Sequence, residues 1–433
     1  MPSLSDPVRD RDIVKLAIPA LGALAAEPTY LLIDTAIIGH LGTVQLAALG
    51  LAATFLASIF WLFNFLANGT TTQIANAFGA GRQELVGVIA AQAAWLALGV
   101  GAVLTVAGML FAGPIVDLLQ AEGAVAGKAE TYLRISALGA PFVMLTLAGQ
   151  GWARGTQRMD IPLKILVVSN TVNVLLDLLL IYGLDMDIAG SAWGTVIAQA
   201  GAAAAFVWVM RDVLAGHMRV VWERMCPLVV VGGDLFVRTG LMLVCFNAIN
   251  ALLARVGADP LAANQVLFQL MVFLALMMDS IAIAGQTLIG RELGAAAHDS
   301  AKAYARRVTA LSFYAGIFLA VFLLGGRNSL PHVFTSDPAV IDEIARVWWL
   351  FVVYVLLSSF LYGWDGVLLG GGDSRAMMWI LVASAAACLP VAYVLIDGPD
   401  AIVGAWIAFS VLNVGRLVLS GLRVASGAWV RTA

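Results

Sequence analysis

The sequence predicts an all-α integral membrane protein whose twelve transmembrane helices form two parallel six-helix repeats. Three observations predict this fold class: the composition, the recurrence of long apolar runs, and an internal repeat. Of the 433 residues, 61% are hydrophobic and 12% are charged, whereas a soluble domain is roughly half apolar and about a quarter charged. Apolar runs of about 20 residues, enough to cross a bilayer as a helix, recur along the whole chain.

Twelve spans are predicted from these runs. They are residues 13–39, 46–78, 85–112, 129–153, 161–184, 188–212, 229–256, 260–292, 303–325, 339–369, 376–396 and 401–422. Several exceed the length that a bilayer requires, which predicts tilt or extension beyond the membrane.

The Lys and Arg residues predict the orientation of the spans. Of the 24, seventeen fall on one side of the membrane, five fall on the other, and Arg238 and Arg416 fall inside spans. Cytoplasmic loops carry an excess of Lys and Arg, so we expect both termini in the cytoplasm and the acidic loops near Asp187 and Asp397 outside. The expected location is therefore the inner (cytoplasmic) membrane.

The chain also repeats itself at an offset of 215 residues. Residues 37–50 align with 252–265, and the stretches "TQIANAFGAG" and "GWARG" align at the same offset with "TLIGRELGAA" and "GVLLG". Parallel repeats of this kind are a transporter design, in which the substrate site lies between the repeats and rocking gives alternating access. The predicted parts are an N-terminal six-helix lobe (1–212), a basic cytoplasmic linker (213–224) and a C-terminal six-helix lobe (225–433).

Other classes of function find little support. No basic run interleaved with aromatic residues indicates a nucleic-acid partner, and the net charge of −3 names no partner. The cysteines and histidines are scattered, and the glycine run at 370–373 lacks the lysine of a phosphate-binding loop. We therefore expect no enzyme activity, no metal and no cofactor, and a monomer that acts on small molecules within the lipid bilayer.

A carboxylate inside the first span is the clearest sign of function. Asp34 lies in an apolar helix, where a charged side chain costs about 2.5–3.5 kcal/mol on insertion scales. Glu27, Tyr30 and Asp34 have the i, i+3, i+7 spacing that places side chains on one helix face. The alternative is a structural carboxyl group that is hydrogen-bonded to neighbouring helices.

The fifth span shows the same pattern. Asn170, Asn173 and Asp177 are also spaced i, i+3, i+7, and Thr195 lies in the sixth span. Such a cluster of carboxyl, amide and hydroxyl groups can exchange protons, with two nearby carboxyl groups titrating as a coupled pair. It could instead hold a hard cation such as sodium.

The C-terminal lobe carries different residues. The repeat offset maps positions 34, 173 and 177 onto Ile249, Cys388 and Ala392. The acids are therefore specific to one lobe, which favours a lobe-specific task. The C-terminal lobe has its own intramembrane charges, Arg238, Asp279 and Asp365. Arg238 could neutralise either aspartate, and a structural ion pair is the alternative to a binding site.

Motifs along essentially the whole chain resemble the multidrug and toxic compound extrusion (MATE) family, and its DinF-type branch most closely. They are "DTAIIGHLG", "ANAFGAGR", "RGTQRMDIPL", "NTVNVLLDLLL", "AGSAWGTVIAQ", "LAANQVLFQ" and "WDGVLLGGGD". The resemblance implies that Asp34, Asn173, Asp177 and Thr195 occupy positions used for coupling ions, and that Pro19 is a hinge whose bend is linked to protonation. Asp365 resembles a position implicated in cation coupling in another branch. That branch also places an acid deep in the seventh span, where this chain has only Asp234, near the cytoplasmic end.

The function that the resemblance implies is secondary active efflux. The protein would export organic compounds, often cationic or amphipathic, in exchange for protons, with sodium as the alternative coupling ion. A lipid-linked oligosaccharide flippase of the same superfamily is the competing interpretation. Such flippases tend to have cationic cavities, whereas buried acids and no buried Lys or Arg are expected in this N-terminal lobe. A membrane enzyme or receptor is a third interpretation, which the duplication disfavours.

Overall fold

The computed structural model describes residues 10–398 and 400–431, so Arg9 and the chain end at Ala433 lie outside the described residues. Within the described ranges the chain is helical and contains no strand. The α-helices are α1 (Asp10–Gly39), α2 (Thr43–Leu62), α3 (Phe65–Gly79), α4 (Gln83–Leu118), α5 (Gly123–Ala137), α6 (Ala140–Gly155), α7 (Asp160–Asp177), α8 (Asp187–Leu214), α9 (Trp222–Val256), α10 (Ala258–Gly294), α11 (His298–Gly325), α12 (Leu330–Phe334), α13 (Pro338–Gly370), α14 (Ser374–Ile396) and α15 (Ala401–Ala425). A π-helical segment, Leu178–Gly183, continues α7, and a 3₁₀-helix, Ala428–Arg431, follows α15.

The helices agree with the predicted number of spans. Among the described residues, eleven helices or joined helix pairs are long and apolar enough to cross a membrane, and the bent pair α5–α6 makes a twelfth if it counts as one span. Helices α2 and α3 together form the second span, which is interrupted near Phe63 and Asn64 rather than continuous as predicted. The connection between α8, which ends at Leu214, and α9, which begins at Trp222, falls within the predicted linker (213–224).

A proline explains the 49° bend between α5 and α6. Pro141 has no N–H to donate to the carbonyl of Ala137, one turn earlier. The hydroxyl of Thr105 on α4 donates to this carbonyl instead, at 2.7 Å. A Cβ on Gly101 would lie 2.3 Å from the Cα of Pro141, so only glycine lets α4 approach the bend this closely.

The helices form two compact units. One contains residues 22–232, and the other contains the described residues 10–21 and those from 233 onward, so the boundaries fall inside α1 and α9. We call them the N-terminal unit and the C-terminal unit. The predicted lobe boundaries concern the sequence repeat and stay a prediction.

The internal repeat is visible in matching helix contacts. In the N-terminal unit, a Cβ on Gly151 would lie 2.7 Å from the carbonyl oxygen of Ala67. In the C-terminal unit, a Cβ on Gly366 would lie 2.5 Å from the carbonyl oxygen of Ala282. Each member of the second pair is 215 residues after its counterpart, so both units use glycine at the same helix crossing.

The segment between α8 and α9 is held against α4. Buried Gln92 donates to the carbonyl of Arg219 at 2.8 Å and accepts from the N–H of Val221 at 2.9 Å. The indole of Trp95 donates to the carbonyl of Met218, also at 2.8 Å. The end of the N-terminal unit is therefore fixed by side chains that satisfy its backbone groups.

Candidate functional site

Two buried carboxyl groups lie together in the N-terminal unit. Asp34 on α1 is 2% exposed, and Asp177, the last residue of α7, is fully buried. The two side chains lie close enough to interact with each other as a carboxyl pair. A hydrogen bond between two carboxyl groups requires that one of them carries a proton, because an ionised carboxylate only accepts. The pair is therefore a place that can hold and release a proton.

Asn173, one turn before Asp177, organises the groups around the pair. Its amide fits its surroundings in one orientation, which is assigned from its hydrogen bonds. The nitrogen donates to Asp177 Oδ2 at 2.7 Å and to the hydroxyl oxygen of Tyr30 at 3.1 Å. The oxygen accepts from the N–H and the hydroxyl of Thr195, both at 3.2 Å. Tyr30 and Thr195 are also joined directly, with 3.0 Å between their hydroxyl oxygens.

Three further residues, which sequence reasoning had not identified, complete the site. The hydroxyl of Ser191 on α8 donates to Asp34 Oδ1 at 3.0 Å. The hydroxyl of Tyr132 on α5 lies near those of Ser191 and Ser136 and interacts electrostatically with both carboxyl groups. A Cβ on Gly194 would lie 2.4 Å from Asp177 Oδ1, so α8 can pass this close only because it has no side chain there. The helical spacing of Ser191 and Thr195 was the available signal.

One carboxylate oxygen remains without a donor. Among the described residues, Asp177 Oδ1 is buried and has no hydrogen-bond partner. The π-helical segment begins at the next residue, Leu178. Such segments insert one residue into a helix and are frequent at functional sites. An unpaired buried acceptor is costly, so this oxygen is where a proton or a cation would be stabilised most.

The remaining predicted residues of this half lie outside the hydrogen-bond network. Glu27 is exposed and makes no hydrogen bond in the described part of the chain. Asn170 donates to the carbonyl of Ala26 on α1 at 2.9 Å, which joins α7 to α1 about two turns away from the pair. Pro19 lies within α1, which runs unbroken from Asp10 to Gly39.

The assigned orientation of the Asn173 amide bears on which ion the site could bind. Asn173 directs N–H groups, not its carbonyl oxygen, toward Asp177 and Tyr30. A sodium cage needs oxygen atoms aimed at one point. The carbonyl oxygen of Asn173 instead accepts from Thr195, so a cation would have to turn the amide and break these bonds.

The charged residues of the C-terminal unit form an ion-pair cluster. Arg238 on α9 forms an ion pair with Asp365 on α13, and Arg416 on α15 donates to the same Oδ2 atom at 3.0 Å. The side chains of Arg238, Asp365 and Arg416 are 17%, 15% and 10% exposed. Asp279 is half-buried and interacts electrostatically with Tyr362. The partner of Arg238 is therefore Asp365, and Arg416 is a member that the sequence did not predict.

Comparison with known proteins decides the family. The MatE family matches residues 19–179 and, a second time, residues 235–394. The chain is 30% identical over 391 residues to the DNA damage-inducible protein F of Escherichia coli K12, covering 87% of this chain and 84% of that protein. The chain belongs to the MATE family. The match to the E. coli protein agrees with the predicted DinF-type branch.

One further sequence relative and two solved structures are also similar to this chain. A probable multidrug resistance protein NorM of Thermotoga maritima is 24% identical, with 100% of this chain and 96% of that protein covered. A solved outward-facing multidrug resistance MATE family transporter of the MOP superfamily has a TM-score of 0.88, with 19% identity and 96% of both chains covered. A MOP superfamily transporter from Pyrococcus furiosus has a TM-score of 0.86, with 18% identity and 96% and 95% covered. These structures share the MATE fold.

Proposed function

We propose that this MATE-family protein is a secondary active multidrug or toxin efflux antiporter that exports organic, often cationic or amphipathic, compounds in exchange for protons. The coupling proton binds at the pair formed by Asp34 and Asp177, and the protein needs no other cofactor. Alternating access follows from rocking between the two halves. The protein works as a monomer, without nucleic acid.

The observation that carries the proposal is the buried carboxyl pair. Burying a carboxyl group in an apolar environment is costly unless it is hydrogen-bonded or protonated. Here Ser191 and Asn173 supply donors, while Asp177 Oδ1 is left open. A purely structural pair would be expected to satisfy this oxygen as well. The relative named as a multidrug resistance protein supports organic compounds as the substrates.

Reconstituted vesicles test the proposal. When a pH difference is imposed across the vesicle membrane, ethidium should move in the direction opposite to the proton flux. Reversing the pH difference should reverse the movement of ethidium, and replacing sodium by choline should not change its rate. Asp34→Asn should lose the response to the gradient. Ethidium movement that follows a sodium gradient and ignores the pH gradient would contradict proton coupling.

Sodium is the second candidate ion, because carboxyl, amide and hydroxyl groups are all present at the site. If Asn173 turned its carbonyl oxygen inward, it could join Asp177, Asp34 and Thr195 as ligands. Sodium would then weaken substrate binding at constant pH, and Thr195→Val would remove this effect. Equilibrium binding of ethidium to the purified protein, in sodium and in choline, distinguishes the two ions.

A flippase function receives less support from the site. The expectation that the N-terminal half buries no Lys or Arg is wrong, because Arg154 on α6 is only 6% exposed. Arg154 donates to Gln150 at 2.9 Å, one turn earlier on its own helix. It lies at the loop end of α6, because it is the residue before Gly155, where the helix ends. The buried groups near the middle of the half remain acids and amides.

The orientation is part of the proposal: the protein lies in the inner (cytoplasmic) membrane with both termini inside. A cysteine at Asp187 should react with an impermeant thiol reagent in intact cells, whereas cysteines at Gly216 and at Ala433 should be protected. Ala433 lies outside the described residues, so Gly216 is the better test. Labelling at Gly216 from outside would reverse the assignment.

A further inference from the structure

Polar side chains follow one face of α5 and one face of α8 toward the carboxyl pair. On α5 they recur every fourth residue at Lys128, Tyr132 and Ser136, and on α8 at Asp187, Ser191 and Thr195. Residues four apart lie on the same side of a helix, about 6 Å apart along its axis. We call these six residues the polar file.

The residues of the polar file meet across the two helices in order. At the outer end Lys128 forms an ion pair with Asp187. One turn deeper, the Tyr132 hydroxyl lies beside that of Ser191, and Ser191 donates to Asp34 at 3.0 Å. The polar file therefore ends at the carboxyl pair.

Exposure falls along the polar file. The side chains of Lys128 and Asp187 are 28% and 38% exposed, whereas Tyr132 is 5% exposed and Ser191 is fully buried. Within the described residues, Asp187 Oδ1 and the hydroxyl of Ser136 have no hydrogen-bond partner. These open polar atoms can each bind a water molecule or a hydroxyl group that bridges one rung to the next.

The neighbours of the polar file are apolar. Ala129 and Leu133 on α5, and Ile188 and Ala192 on α8, belong to one buried apolar cluster of the N-terminal unit. Polar contacts between these helices are thus confined to one line. Apolar packing beside it excludes water from other routes, because a buried apolar space stays dry.

We propose that the coupling proton reaches the carboxyl pair from the outer side along the polar file, with Asp187 as the group that first accepts it. This proposal rests on the proposed function and on the proposed orientation. The proton moves from the Asp187 carboxyl group by way of bridging water to the Tyr132 and Ser191 hydroxyl groups. Each hydroxyl accepts one proton and passes its own onward, so the Asp34 carboxylate gains one proton and the hydroxyl groups are unchanged.

The groups that face each end are few. Asp187 faces Lys128 on α5, and the side chain of Gln45 on α2 lies nearby. At the inner end the carboxyl pair faces Tyr30 on its own helix and Tyr132 on α5. Lys128 is the one cation among these groups, and it pairs with Asp187 without taking part in the proposed proton transfer.

The test measures how fast the carboxyl pair takes up protons. Purified protein is mixed rapidly from high to low pH, and infrared difference spectra follow the carbonyl stretch of protonated carboxyl groups. The amplitude that Asp34→Asn removes belongs to the pair and tests the proposed function. The rate at which this amplitude appears tests the polar file, and neither quantity requires a known substrate.

Asp187→Asn and Lys128→Met form a matched pair of variants, since both remove the same ion pair. Asp187→Asn should keep the amplitude and slow its appearance by about tenfold, as a barrier higher by ~1.4 kcal/mol gives. Lys128→Met should keep both the amplitude and the rate. Tyr132→Phe should slow uptake as well, whereas Tyr182→Phe, which removes a hydroxyl that donates to the carbonyl of Ile37, should not.

Each result decides the proposal. Equal slowing in Asp187→Asn and Lys128→Met would mean that the ion pair is only structural, and an unchanged rate in Asp187→Asn would mean that protons take another route. Either result would overturn the polar file and leave the carboxyl pair standing. If the wild type and Asp34→Asn gave the same infrared amplitude, the proposed function would be overturned instead.

Discussion

The two halves of the molecule place opposite chemistry at equivalent positions. In the N-terminal unit, Asp34, Asn173 and Asp177 form a buried polar network. The repeat-related Ile249, Cys388 and Ala392 are fully buried in the main apolar cluster of the C-terminal unit. The same backbone arrangement therefore supports a polar site in one half and a close-packed core in the other. Helix packing does not require the acids, which favours a functional reason for them.

The comparison extends to the sixth span of each half after a change of register. Gly190 and Gly404 both allow close approach to the preceding helix end, at Ile181 and Leu395 respectively. They are 214 residues apart, one fewer than the offset before the π-helical segment. Because a π-helical turn accommodates one extra residue, this segment accounts for the change. It occurs directly after Asp177.

With the corrected register, apolar side chains replace the polar groups. Ser191 and Thr195 correspond to Ala405 and Phe409, both of which belong to the apolar cluster. The Phe409 ring packs on Trp406 with 5.4 Å between ring centroids. In the C-terminal unit, aromatic side chains thus fill the space in which the N-terminal unit keeps the hydroxyl group of Thr195.

The largest effect should come from removing either acid. Asp34→Asn or Asp177→Asn keeps the size of the side chain but removes the exchangeable proton, so gradient-driven efflux should fall to background. The counterpart Ile249→Val should cost about 0.5–1.5 kcal/mol of stability and leave transport coupled. Vesicle transport and thermal unfolding in detergent measure both. Wild-type efflux by Asp34→Asn would remove the distinction between the halves.

A carboxylate placed in the C-terminal core should be poorly tolerated. Ile249→Asp introduces an acid at the position equivalent to Asp34, where Ala405 replaces Ser191 and offers no donor. We expect a loss of stability of about 2.5–3.5 kcal/mol, the cost of an unpaired charge inside a span. The control is Asp34→Asn, which should unfold close to the wild-type temperature. Equal midpoints for the two variants would show that the surrounding groups of the N-terminal unit do not stabilise the acid.

A smaller effect should distinguish Gly194, on the sixth span of the first half, from its counterpart Ala408 in the second half. Gly194→Ala places a methyl group 2.4 Å from Asp177 Oδ1, so the carboxyl group must move, at a cost of about 1–3 kcal/mol. It should also weaken proton uptake by the pair. The counterpart Ala408→Gly should cost only ~1 kcal/mol as a helix substitution and leave proton uptake unchanged. Normal proton uptake in Gly194→Ala would mean that the position of Asp177 is not critical.

Much of this comparison could be predicted from the sequence, because periodicity and the repeat act over long stretches. The spacing of Asn173 and Asp177 identified one face of α7, and the isolated Asp34 identified its partner helix. Ser191 and Tyr132 are harder to find in this way. Apart from its spacing to Thr195, a serine in an Ala- and Gly-rich helix carries no distinguishing signal, and a tyrosine in a span is compatible with packing against lipid or core.

Other features depend on contacts that no local pattern contains. The π-helical segment has ordinary apolar residues, so only the register change between Gly190 and Gly404 could have indicated it. The ion pairs of Asp365 with Arg238 and Arg416 are set by how α9, α13 and α15 pack together. The bend between α5 and α6 was detectable in principle from Pro141, but the hydroxyl of Thr105 that satisfies the freed carbonyl lies on another helix.

The most direct test of the central claim is to count protons released when substrate binds. If the carboxyl pair couples transport, substrate and proton compete, because a ligand can shift an equilibrium only through different affinities for the two states. Ethidium added to purified protein in weakly buffered solution should therefore release protons, and its affinity should fall as the pH is lowered. Asp34→Asn should bind ethidium without releasing protons. Undiminished release by Asp34→Asn, or binding by the wild type without release at any pH, would contradict the account.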